Sequence, residues 1–159
     1  MNINELENQL QNVKHSIDRA LKESGYKDNL DLAEIEMDIQ NPQERFLLHE
    51  LEGILGNLNK AVEELDYIAK PIETIGLLHK AENGRYRARD GKGNEWEYSS
   101  GTGIEFLIKE EELDAYGGEI QVERWVASRV EHNGNDYYIV NWPDLNMKGL
   151  AVRKRSYWS

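Results

Sequence analysis

The chain has no cysteine. Disulfides, thiolate metal sites and cysteine nucleophiles are therefore excluded, and a cytoplasmic location is the default expectation. Proline is scarce: Pro42, Pro71 and Pro143 are the only three in 159 residues. Each should mark where a regular element begins or stops, because proline lacks a backbone donor. No run approaches the ~18 apolar residues that cross a bilayer. The opening "MNINELENQLQNVK" lacks the basic flank and apolar run of a signal peptide. No membrane role is expected. Positive charge is also short: 19 Lys and Arg face 30 Asp and Glu, a net charge of -11. The deficit is uneven, with 15 acids against 7 bases over residues 1–70 and 15 against 12 over residues 71–159. A field of that sign repels phosphate backbones and attracts basic partners. Direct nucleic-acid binding is disfavoured, whereas binding to a protein that itself holds nucleic acid is not.

What is present changes period at Pro71. Ile3, Leu6, Leu10, Val13, Ile17 and Ala20 recur at steps of three and four, an apolar heptad stripe that Gly25 ends. A second helix opens at "NPQERF", with Asn41 as cap, Pro42 in the first turn and Glu44 where a capping box places an acid. Its stripe runs Leu47, Leu51, Ile54, Leu58, Ala61, Leu65 and Ile68, widened by Phe46, Leu48, Leu55 and Val62, so more than one packing neighbour is expected. Between the helices, Ile35, Met37 and Ile39 alternate like a strand, while Leu32, Ile35 and Ile39 fit a short helix. A short helix or an extended linker is expected there. After Pro71 the period is two. "IETIGLL", "RYRARDGKGNEWEY", "TGIEFLI", "EIQVERWVASRVEHNGNDYYIV" and "GLAVRKR" read as short strands, with hairpin turns at Asp90-Gly91 and Asn133-Gly134. The fold class is α+β: an antiparallel helical hairpin over residues 1–70, then a small antiparallel β-barrel-like (SH3-like) domain over 71–159. The heptad stripes also suit a homodimer through the helices.

Several features of the second half form a recognisable set. They are Gly84-Arg85-Tyr86, Gly103-Ile104-Glu105, Trp125 with Arg129-Val130-Glu131-His132, Tyr137-Tyr138, and Gly149 with Val152-Arg153. Over roughly residues 72–155 this resembles domain-of-unknown-function family 5348, small β domains of Firmicutes phages, plasmids and conjugative elements. The family brings no established activity or catalytic set. The resemblance implies a mobile-element setting, in which anti-defence or replication-accessory roles are more natural than metabolism. The helical half lies outside it.

No catalytic constellation emerges. His15, His49, His79 and His132 include no pair at metal-ligand spacing, and "HELEG" lacks the second histidine of a zinc helix. His132, beside Glu131 and Asp136, could act as a general base, but a hairpin-edge histidine packed on Tyr137 or Tyr138 is the simpler reading. Ser99 and Ser100 precede glycines without a strand-to-helix elbow, and "GKGNEW" and "GTG" lack the lysine and helix start of a phosphate loop. No enzyme, cofactor or metal is expected.

Binding surfaces are the better candidates. Arg85, Arg87 and Arg89 share one strand face, and Arg129, Arg153 and Arg155 can extend it, as an anion-binding stripe or as cross-strand pairs with Glu95, Glu97 and Glu105. The run "KEEELDAYGGE" reads as a solvated acidic loop, and Glu110, Glu111, Glu112 and Asp114 could imitate a phosphate backbone. Trp142, in the stiff loop "NWPDLN", is either an interface anchor or a lid over one end of a barrel. Trp96 and Trp125 should lie in the core; Tyr157 and Trp158 are further aromatics near the end. The leading expectation is a non-enzymatic phage or mobile-element accessory protein that binds a host protein, such as a basic nucleic-acid-processing enzyme, with an anti-CRISPR-like inhibitor as its specific form. The alternatives are an anion or nucleotide-signal binder using the arginine face, and a scaffold that dimerises the β domain.

Overall fold

A computed structural model of the chain describes residues 1–29, 32 and 35–156. Tyr157 and Trp158, and part of the inter-helix stretch, lie outside the described residues. The chain divides into two compact units, Met1–Lys70 and Pro71–Ser159.

The first unit holds helices α1 (Ile3–Glu23), α2 (Tyr26–Asn29) and α3 (Pro42–Ala69). Asn2 caps α1 through a full capping box: its side chain accepts from Glu5 N at 2.9 Å, and Glu5 accepts from Asn2 N at 2.8 Å. The helix stops at Ser24 and Gly25, the latter at φ +78°, a conformation that favours glycine. Asn41 caps α3 by accepting from Gln43 N and Glu44 N, and Pro42 opens the helix. Glu44 accepts instead from Asp38 N at 2.6 Å, so its carboxylate ties down the incoming chain. Of the inter-helix stretch, Tyr26–Asn29 is helical and Leu32 is buried, while Ile35 and Ile39 are exposed in irregular backbone.

Gln11 donates to Leu65 O at 3.0 Å, Lys14 pairs with Asp66, and the Tyr26 hydroxyl abuts Gly56, so α1 and α3 run antiparallel. Leu21 and Val62 are the buried residues of this seam. The seam sits one position beyond the heptad stripes, which remain substantially open.

The second unit is a seven-stranded antiparallel sheet, curled into a half-barrel. Its strands are β1 (Ile72–Lys80), β2 (Tyr86–Asp90), β3 (Glu95–Tyr98), β4 (Gly103–Leu113), β5 (Glu119–His132), β6 (Tyr137–Ile139) and β7 (Ala151–Arg155). The spatial order is β3-β2-β1-β7-β4-β5-β6. Alternation places Leu78, Tyr86, Ala88, Phe106, Val130 and Val152 inward, where they form one core with Ile104, Ile139 and Met147. Trp96 packs against this core from its edge. Gly76 is where β1 lets its neighbours close in: a Cβ there would meet Arg89 O and the Trp96 ring at 2.7 Å. No helix among the described residues is long and apolar enough to cross a membrane.

Candidate functional site

The acidic run is not a loop. Glu110, Glu111 and Glu112 lie within β4, and only Asp114–Gly118 turns. Charges on both faces hid the period-two signal, because neither face of this segment enters a core. β7 pairs with β4 only at Glu105 and Phe106, and β6 pairs with β5 only from Val130 to His132. Past the core contact of Ile108, β4 and β5 therefore continue as a two-stranded arm, in register from Lys109 opposite Glu123 to Leu113 opposite Glu119. Five such pairs extend roughly 17 Å at the usual strand rise.

The turn builds itself from Asp114. Its carboxylate accepts from Tyr116 N and Gly118 N, both at 2.8 Å, and Gly117 takes φ +80°. Asp114 is thus committed to shaping the tip. Glu110 accepts two bonds from Arg124, at 2.9 and 2.6 Å, and that guanidinium lowers its pKa. Glu111 accepts from Gln121 at 2.8 Å. Among the described residues, Glu112, Glu119 and Glu123 form no ion pair and are the arm's open charges. The tip is apolar: Tyr116 is 98% exposed and Leu113 71%, with Ile120 open beside them. Sequence reading missed Tyr116, Leu113, Ile120 and Glu123 as arm residues; the signal for the first three was apolar side chains inside a charge run beside Gly117-Gly118.

Trp142 is not on this arm. Its ring stands edge-on against Phe106, centroids 5.3 Å apart, and its backbone N–H donates to Ile139 O. It is partly buried and packs against the core, as the lid reading of its sequence expects. His132 packs edge-on against Tyr137 at 4.7 Å, and its Nδ1 accepts from Gly134 N within the hairpin turn. No cluster of three or more His, Asp or Glu able to hold a metal occurs among the described residues.

The arginines are paired. Arg87 stands opposite Glu97 and Arg89 opposite Glu95 in the β2–β3 ladder, and each donates to its partner. Arg85 donates to Glu97 at 2.7 Å. These contacts lower the pKa of both glutamates and raise that of Arg85. Arg129 pairs with Glu131 at 3.0 Å. Arg153 and Arg155 converge on Glu105, a buried carboxylate on the outer face of β4, and Arg153 also lies 4.7 Å from the Trp125 ring centroid. An anion on this face would have to displace carboxylates already in place, so cross-strand pairing describes it.

Apart from Arg155, these sheet, turn and ion-pair residues fall within one recognised stretch. Residues 76–154 match the family described as Domain of unknown function (DUF5348). The resemblance drawn from the turn and sheet residues therefore holds across the C-terminal half. The DUF5348 match spans β1 from Gly76 to β7 at Lys154, the arm included, and stops short of the helices. No curated protein and no solved structure matches the chain.

Proposed function

We propose that the chain is a non-enzymatic binding protein whose β4–β5 arm docks on a basic surface of a host protein. The arm itself carries this reading. From Lys109 to Arg124 it holds six carboxylates against two basic residues, and its tip is apolar. Long-range attraction to a basic groove would steer it, and Tyr116 and Leu113 would supply the desolvated contacts that hold it. A groove built for a phosphodiester backbone has that charge, so the partner class is a nucleic-acid-processing enzyme. The mobile-element setting implied by the family resemblance favours a defence nuclease, which makes an anti-CRISPR-like inhibitor the specific form of the proposal. A location in the cytoplasm follows from such a partner.

The test is capture from bacterial lysate on the immobilised full chain, at ~50 mM and ~300 mM salt, where screening of exposed charges differs strongly. The comparison is a variant with Glu112→Gln, Glu119→Gln and Glu123→Gln, none of which breaks an ion pair. Nucleic-acid-processing proteins should be retained at low salt by the native chain and lost with the variant. Retention insensitive to both salt and the three substitutions would overturn the reading.

A further inference from the structure

The residues that join α1 to α3 are not their heptad residues. Gln11, Lys14 and Leu21 on α1 and Val62 and Asp66 on α3 make the seam. Each lies one position after a stripe residue, which is about 100° around a helix. In an antiparallel pair, equal offsets along the two chains turn in opposite senses in space. Both stripes therefore swing to the same side of the hairpin. There Ile3, Leu6, Leu10 and Val13 are 42–74% exposed, and Leu47, Leu51 and Ile54 are 44–52% exposed.

We propose that this shared face pairs with a second copy of the chain, forming a four-helix bundle with α1 of each copy against α3 of the other. Two observations select that occupant, and a third sets how its helices pair. The stripe positions carry no charge in either helix, although the unit as a whole is acidic. A basic partner would find nothing to pair with on this face, whereas an identical face is complementary to it and closes under a two-fold axis. The area is also adequate. The 21 residues of α1 span roughly 31 Å, and two helices at bundle spacing are roughly 20 Å wide, giving about 600 Å² per copy, to which the extra length of the 28-residue α3 adds about 100 Å². Stable interfaces begin at about 600 Å² of accessible surface per partner, so the face meets the lower end of that range. Charge then sets the pairing: α1 carries four acids and three bases, α3 six acids and two bases. Placing α3 on α3 would oppose the two most acidic helices; placing α1 on α3 does not.

Sedimentation equilibrium of the full chain over ~1–200 µM, a range bracketing ordinary dimer affinities, tests this. The native chain should be a dimer. Leu10→Glu and Leu51→Glu should each weaken it by about 100-fold or more, because a two-fold interface loses each leucine twice. Leu10→Gln, which keeps good helix propensity, should act in the same direction, and circular dichroism should show helix content retained in all three. Leu113→Glu, at the arm tip, should leave the dimer intact. A native chain that stays monomeric throughout that range would overturn the proposal. So would a dimer unaffected by both the α1 and the α3 substitutions.

Discussion

Replacing Glu105 by glutamine should destabilise the β unit by about 3 kcal/mol. The carboxylate is 6% exposed and accepts from Arg153 Nε and Nη2 at 3.1 and 3.2 Å, and from Arg155 Nε at 3.1 and 3.0 Å. Removing one partner of such a group costs about 3–5 kcal/mol, because the opposite charge stays where it is, desolvated and uncompensated. The guanidiniums are not sealed: the Arg153 and Arg155 side chains are 20% and 13% exposed, so water reaches them and the low end of the range applies. Arg153 also keeps its contact with Trp125. The assay is urea unfolding followed by tryptophan fluorescence. All four tryptophans, Trp96, Trp125, Trp142 and Trp158, follow Pro71, so the signal reports the β unit and is silent on the helices. At a slope of ~1 kcal/mol per molar urea, the midpoint should fall by about 3 M. Arg155→Gln should cost less, because Arg153 still holds the carboxylate. A Glu105→Gln midpoint within ~0.5 M of the native value would refute the reasoning, since surface pairs of little worth behave that way.

Acid should weaken the same unit through Asp90. Its carboxyl is held down to about 2 by the Asn94 side chain first, then by Thr74 and the backbone of Asn94 and Lys92. A pKa lower folded than unfolded gives stability that is present above about 3.8 and lost as pH falls toward about 2. Fluorescence-monitored melting at pH 5 and near pH 2.5 should show the loss in the native chain, and Asp90→Asn should shrink that difference while lowering the pH 5 midpoint by several degrees, roughly the shift expected for a lost turn network in a small domain. Gly76→Ala should destabilise by about 1–3 kcal/mol in urea unfolding, because the new methyl meets backbone that cannot rotate away; a change under ~0.5 kcal/mol would contradict the packing. Tyr116→Ala should leave stability within ~0.5 kcal/mol, as an exposed side chain does, and abolish partner capture; capture that survives would show that the tip is not a contact.

Element type was legible wherever one face of the chain enters a core. Asn41, Pro42 and Pro71 fixed the ends of α3, and period-two alternation placed Tyr86, Ala88 and Val152 inward, because helix caps and strand alternation are local properties. The arginine-to-glutamate pairing was legible as one of two readings, since residues two apart share a strand face. Three things were not local. The extension of β4 through Glu110–Glu112 depends on where β7 and β6 stop pairing, and no alternation marks a ribbon with two solvated faces. Trp142 turned inward because Phe106, distant in sequence, offered an edge to pack on. The one-position offset of the α1–α3 seam came from Lys14 meeting Asp66 and Gln11 meeting Leu65 O, contacts 52 and 54 positions apart. By itself the sequence determined the two long helices with their ends, the strands that enter the core, and which faces are apolar. Only the tertiary structure decided which apolar faces are covered, because burial depends on what the rest of the chain brings alongside.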